Sequence, residues 1–344
     1  MHIPCATADP TLPGGQTLTQ QSGQLPTPGT KLPPSIVIGN FKVMHRPGMT
    51  FEQAKIRLAR QGFQLQETPH FLVARAPANH AVTIVHRFTP HEIDNNLVDF
   101  LMQELDGLMT SEQMFGQALR GVVHSVIPYD PVEAWNLFSL NTLQRLRTWL
   151  IDAPTQDDRQ STIGASALVY RRLLSLKVGA SLLDVGCACA FWPILAAERE
   201  PLPHGRIIGV DNRRDAINLS TNLATQVGMH DLEFVQSDIL TSEFVELGIF
   251  DTVTSIHMLE HLSEAQLPQA FEHLLKVTSH RLIIAVPYEQ RATAAYGHEQ
   301  VFTQEKLNYW GQRCVESLGG SARYWSEEAA SGLLIVDVDR SAHQ

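Results

Sequence analysis

From about residue 176 onward, short β-rich runs alternate strictly with helical runs, and three successive strands end on an acidic residue. SLLDVG, RIIGVD, LEFVQSD, FDTVTSIH and RLIIAVP read as strands. FWPILAAER, RDAINLSTNLATQVG, PQAFEHLLKV and TQEKLNYWGQRCVESLG read as helices, and ARYWSEE and GLLIVDVD as two closing strands. Strands separated by helices of ten or so residues predict a parallel sheet with right-handed crossovers. Near-continuous apolar runs such as RLIIAV fit strands buried on both faces. In such sheets ligands bind beyond the carboxyl ends of the strands, at the topological switch point.

That rule directs attention to the strand ends. The first strand runs into Asp184-Val185-Gly186-Cys187-Ala188-Cys189-Ala190, the second ends in Asp211-Asn212, and the third in Ser237-Asp238-Ile239. The fourth leads into His257-Met258-Leu259-Glu260-His261. An acid closing the second strand can accept both ribose hydroxyls of an adenosine. Asp238 can accept from an exocyclic amine such as that of adenine, with Ile239 against the base. Taken singly, a strand-end aspartate is as readily a helix cap. A dinucleotide needs a Gly-x-Gly-x-x-Gly turn for its pyrophosphate, and the first turn here has none. A phosphate-free sulfonium ligand makes no such demand, and its positive charge suits a rim of aspartates.

These residues resemble the class I S-adenosylmethionine-dependent methyltransferases over about residues 160–340: LLDVG, then IIGVD about 25 residues later, FVQSDIL, and FDTVTSIHMLEHL. The resemblance implies an α/β Rossmann-like sheet with helices on both faces, preceded by a small α+β N-terminal domain, and S-adenosylmethionine as cofactor. It puts Asp184, Gly186 and the loop at Ala188 beside the methionine portion, and Asp211 and Asn212 at the ribose. Asp238 and Ile239 fall at the adenine, and His257 faces the sulfonium. The family's first motif is Asp-x-Gly-x-Gly-x-Gly, and this chain has Ala188 and Ala190 at the last two glycines. Each added methyl takes room from a backbone that approaches its ligand closely. Either binding is altered, or the loop follows another path.

Methyl transfer to a hydroxyl needs a base. His257 is the first candidate, because imidazole is the side chain that titrates near neutrality. His298, in the polar stretch Tyr296-Gly297-His298-Glu299-Gln300 after the fifth strand, is the second. The plainer readings are that His257 shapes the pocket, that His298 anchors the turn before a helix near Thr303, and that Glu260 and His261 hold the loop or cap a helix. His257-x-x-Glu260-His261 also matches an inverted zinc-protease pattern, which requires a long zinc-binding helix. Here the motif follows a strand, so no metal is expected. Cys187-x-Cys189 has the wrong spacing for a Cys-x-x-Cys site, and both cysteines are expected to pack under the cofactor.

A narrower similarity, carried by FWPIL, GHEQVF and PVEAWNLFSLNTLQRL, is to mycofactocin oligosaccharide methyltransferases, implying O-methylation of a sugar hydroxyl. HMLEHL is also similar to quinone-biosynthesis O-methyltransferases, implying a phenolic acceptor. A non-catalytic S-adenosylmethionine-binding protein and a zinc hydrolase are the readings from other classes.

Upstream the pattern differs. Residues 1–34 hold seven of the nineteen prolines and almost no large apolar residue, which predicts a disordered tail. Residues 35–110 read as the small α+β domain, with SIVIGNFKVMHR as one strand. Residues 111–175 form a helical connector and 176–344 the methyltransferase domain. A net charge of −10 without a lysine/arginine stripe argues against nucleic acid and for a small-molecule or glycan acceptor. With no long apolar run, no signal-like start and only four cysteines, the expectation is a cytoplasmic chain with no membrane partner. The sequence sets no oligomeric state.

Overall fold

The computed structural model describes residues 35–77, 82–156, 158–199 and 205–339, so the tail reading of residues 1–34 lies outside the described residues. The chain divides into two compact units, one ending at Asn141 and the other beginning at Thr142. The helical stretch 111–175 is therefore shared between the units and does not stand apart.

The first unit contains β1 (Ile36–Ile38), β2 (Phe41–His45), α1 (Phe51–Ala59), β3 (Gln64–Glu67), β4 (Phe71–Arg75), β5 (Val82–His86), α2 (Asn96–Glu104) and α3 (Glu112–Val126). α4 (Pro131–Ile151) crosses the boundary. Among the described residues its sheet has the order β1-β2-β5-β4-β3, with only the β2–β5 pair parallel. SIVIGNFKVMHR is not one strand but a hairpin, because Gly39 (φ 53°) takes the left-handed conformation a tight turn needs. α1 starts at Thr50, whose hydroxyl accepts from Gln53 N while the Gln53 side chain accepts from Thr50 N. Such a capping box contributes about 1 kcal/mol. Phe51, Ala54 and Leu58 then form the apolar stripe buried with Leu72, Ala74 and Val85.

The second unit contains α5 (Thr162–Leu176), β6 (Leu182–Val185), α6 (Phe191–Arg199), β7 (Ile207–Asp211), α7 (Arg214–Gln226) and β8 (Glu233–Gln236). It continues with β9 (Phe250–Ile256), α8 (Leu267–Lys276), β10 (Thr278–Val286), α9 (Gln304–Ser317), β11 (Ala322–Glu328) and β12 (Gly332–Val338). Its sheet runs β11-β12-β10-β9-β6-β7-β8. β6 to β10 are mutually parallel, and β12 is antiparallel to both β10 and β11. This is the expected α/β Rossmann-like sheet. Leu282 to Val286 are all buried, as a strand covered on both faces requires. On α8 the buried Leu267, Ala270, Phe271 and Leu274 recur at three and four residues, and Phe271 stacks on Trp310 of α9 at 4.3 Å between ring centroids. Strand order reverses between β6 and β9, so the crevice for a ligand opens beyond their carboxyl ends. No helix among the described residues is long and apolar enough to cross a membrane.

Candidate functional site

At the switch point the chain leaves β6 through Gly186, with φ at 81°. A Cβ there would lie 2.7 Å from Cγ of Met258, so only glycine fits. Ala188 (φ 47°) and Ala190 (φ 56°) are also left-handed. The loop thus keeps the backbone path glycines would take, and the two alanines bear the strain, about 1 kcal/mol or more each. Two contacts hold it: Ala188 N donates to Asp211 Oδ2 at 3.1 Å, and Ser220 Oγ donates to Ala188 O at 2.7 Å. The Cys187 thiol and Cys189 are buried in this loop, and burial holds Cys187 in its neutral form.

The acids at the strand ends are held by specific donors. Trp192 Nε1 donates to Thr254 Oγ1 (3.1 Å), which donates to Asp184 Oδ1 (2.8 Å). Asp211 accepts from Ala188 N and, through Oδ1, from Arg213 N at 3.0 Å. It therefore ties the turn that leads into α7 to the β6 loop, while a carboxylate retains lone pairs for further donors. Asp238 accepts from Leu240 N at 2.9 Å. Ile239 beside it is buried, and Asn212 is exposed, its carbonyl accepting from Gln236 Nε2. Burial pushes the Asp184 carboxyl up to about 7, against the Thr254 bond and helped by the Asp211 charge. Burial raises Asp211 as well, partly offset by Arg213 and by the backbone donors. Two buried carboxylates in each other's field are an arrangement that a cationic ligand relieves. A molecule carrying a sulfonium and an ammonium fits that requirement.

Beyond β9, His257 is also left-handed (φ 52°) and only 3% exposed. It lines a small pocket of about 30 Å³ together with Asp184, Gly186, Ala188 and Trp192. The structure therefore brings His257 together with the β6 loop residues. Its Nε2 hydrogen-bonds Ser331 Oγ at 3.1 Å, and its Nδ1 lies 3.4 Å from Glu260 Oε1. Leu259–His261 form a single 3-10 turn rather than the long helix of a zinc protease. Glu260 does not cap α8, which starts seven residues later at Leu267, and the Glu260 side chain is buried. Burial raises its carboxyl to about 7.

His298 lies in the segment after β10, outside the lining of that cavity. Glu299 N donates to Glu260 O at 2.9 Å, which pins this segment to the turn after β9. His298 Nδ1 hydrogen-bonds Glu289 Oε2 at 2.7 Å, and its ring stands edge-on to His261, 5.0 Å between centroids. The helix start itself is held by Thr303, whose hydroxyl accepts from Lys306 N. Thr254, Ser220 and Ser331 were not legible as site residues, because each is joined to its partner only by the fold; Ser331 and His257 are 74 positions apart.

Comparisons with known proteins show the following similarities. A family model described as a methyltransferase domain matches residues 176–330. Demethylmenaquinone methyltransferase of Listeria monocytogenes is 29% identical over 107 residues, which are 30% of this chain and 44% of that protein. The match thus spans less than half of the curated relative. Among solved structures, magnesium protoporphyrin IX methyltransferase from Synechocystis, with bound SAM, has a TM-score of 0.42 at 15% identity, covering 60% of this chain and 94% of that one. An O-methyltransferase family protein from Burkholderia thailandensis has a TM-score of 0.47 at 12% identity, covering 86% of each chain.

Proposed function

We propose that residues 176–330, a class I S-adenosylmethionine-dependent methyltransferase domain, methylate a hydroxyl of a small molecule or glycan, with His257 as the base. The observation that carries this reading is His257 itself. It is a buried histidine at the β9 end, in one cavity with Asp184 and Gly186. S-adenosylmethionine, when bound, supplies an electrophilic methyl on a sulfonium, whose sulfur leaves as a neutral thioether. Asp211 and Asn212 bind the ribose, Asp238 and Ile239 the adenine. Asp184, Gly186 and Ala188 flank the methionine portion, with Asp184 ionised against the cationic ligand.

Chemistry then requires an acceptor oxygen in line with the methyl and a group to take its proton. Positioning supplies much of the rate, and a well-placed base adds roughly 10²–10⁴-fold. The Glu260 carboxylate beside His257 Nδ1 favours a proton there and leaves Nε2, now on Ser331, as the accepting atom. The oxygen–carbon bond forms as the carbon–sulfur bond breaks, and the hydroxyl proton passes to His257.

Within this class a sugar hydroxyl, as in a mycofactocin-type oligosaccharide, is the proposed acceptor, in keeping with a net charge of −10 that disfavours a nucleic-acid acceptor. A quinol or phenol acceptor, methylated on oxygen or carbon, is the second reading, favoured by the identity with demethylmenaquinone methyltransferase. Mass spectrometry of cell-extract glycans and quinols, incubated with the full chain and methyl-labelled S-adenosylmethionine, decides between them. Label on a sugar oxygen supports the first and label on a quinone ring the second. Tight S-adenosylhomocysteine binding with no labelled product in any fraction would overturn both in favour of a non-catalytic binder.

A further inference from the structure

We propose that Glu260, His261 and His298 form a binding site for one divalent transition-metal ion. One potential ligand atom from each lies within 4.8 Å of the others. Glu260 is 1% exposed, and neither of its carboxylate oxygens has a hydrogen-bond partner among the described residues; His257 Nδ1 lies 3.4 Å from Oε1. His298 Nε2, on a side chain with no exposed surface, likewise has no hydrogen-bond partner among the described residues. Burying a carboxylate and an imidazole nitrogen without partners costs several kcal/mol, and folded proteins rarely leave such atoms together.

The surroundings point the same way. Glu289 accepts at His298 Nδ1 (2.7 Å) and is itself held by Thr293 Oγ1, which donates to its Oε1 at 2.7 Å. Gly297 O takes His261 Nδ1 at 3.2 Å. Each ring thus has its Nδ1 committed to an oxygen, which fixes the tautomer and turns Nε2 toward the cluster, as ligating histidines are held by their outer partners. Donors on one ion sit roughly 3–3.5 Å apart at bond lengths near 2.1 Å, so closing the widest separation requires contraction of up to about 1.3–1.8 Å.

Two imidazoles and one carboxylate suit manganese, iron, cobalt or zinc in the divalent state, and three protein ligands leave coordination positions open. Taken with the function proposed above, on which this further step rests, an acceptor hydroxyl on the ion would be acidified. His257 beside Glu260 would then take the proton. The ion binding itself depends on no such reading. The zinc-protease spacing His257-x-x-Glu260-His261 is not this site: the third ligand comes from the segment after β10, 37 residues beyond His261.

The test is titration of the chelator-treated full chain with Co²⁺, read by visible absorption and calorimetry, with S-adenosylhomocysteine affinity measured on the same samples. One Co²⁺ per wild-type chain is expected. Glu260→Gln and His298→Ala should each weaken it at least about a hundredfold, and Glu289→Gln, an outer partner, roughly 10–100-fold. Unchanged S-adenosylhomocysteine affinity in the three variants shows that they are folded. No stoichiometric Co²⁺ in the wild type, or Co²⁺ binding unmoved by Glu289→Gln and His298→Ala, overturns the proposal and leaves a proton-sharing carboxyl–imidazole cluster. Co²⁺ binding without S-adenosylhomocysteine binding would instead fault the methyltransferase reading alone.

Discussion

The two halves of the sheet's carboxyl edge are built on opposite terms. On the β6–β8 side, Asp184, Asp211 and Asp238 each accept from a hydroxyl or backbone N–H within a few residues of a strand end. Beyond β9 and β10, Glu260 and His298 are buried like Asp184 and more deeply than Asp211 and Asp238, yet their carboxylate oxygens and Nε2 lack hydrogen-bond partners among the described residues. The first half is preorganised to receive a ligand that brings its own charge. The second is assembled from segments far apart in sequence. Binding and chemistry should therefore separate cleanly by mutation.

The largest expected effect falls on the second half alone. His257→Ala should lower kcat about 10²–10⁴-fold, with S-adenosylhomocysteine affinity within about twofold of wild type. Full turnover across the pH range would remove His257 as base, and parallel loss of affinity would blur the division.

Gly186→Ala strikes the first half. Its Cβ would sit 2.7 Å from Met258 Cγ in a left-handed backbone. Thermal unfolding should register a loss of about 2 kcal/mol or more, with cofactor affinity falling too. A wild-type melting curve would mean the loop is looser than the β6 end implies.

The Asp184 carboxyl gives a pH signature of the same half. Its folded-state value of about 7 lies above that of an unfolded aspartate, so the folded chain holds an extra proton between about pH 4 and 7. Its contribution to stability therefore falls as pH rises through that window. A cationic ligand reverses the preference: S-adenosylmethionine affinity should rise with pH, by at most about tenfold per unit, and level off above 7. Asp184→Asn keeps the Thr254 donor satisfied and should flatten both profiles. Calorimetry from pH 5.5 to 8.5, a range set around that value of about 7, reads this directly.

Most of the first half could be read from sequence because its determinants are local. Alternating runs gave β6 through β12 nearly residue by residue, and Asp184, Asp211 and Asp238 all stand at strand ends or just beyond. The second half was legible only as far as His257. Nothing near His298 in sequence announces Glu260, since the contact is made by two loops meeting over the sheet edge. Glu260 read as a loop or cap residue because its burial is a property of that meeting. The same limit hid the Gly39-Asn40 turn inside an apparently continuous strand. The Ala188 and Ala190 substitutions suggested a changed loop path. Of the two expectations, altered binding or another path, the structure excludes the second: the left-handed backbone is kept, with the strain carried at the two alanines. Ala188→Gly should accordingly be the mildest change of all, stabilising by at most about 1 kcal/mol as relief of strain exceeds the entropy glycine adds to the unfolded chain.

The claim beneath all of this is that the carboxylates at the ends of β7 and β8 grip the nucleoside. Calorimetric titration of S-adenosylhomocysteine into the full chain and its Asp211→Ala variant tests it most directly. The account predicts one site per wild-type chain and at least tenfold weaker binding in the variant, a loss of about 1.4 kcal/mol or more. Equal dissociation constants would contradict it.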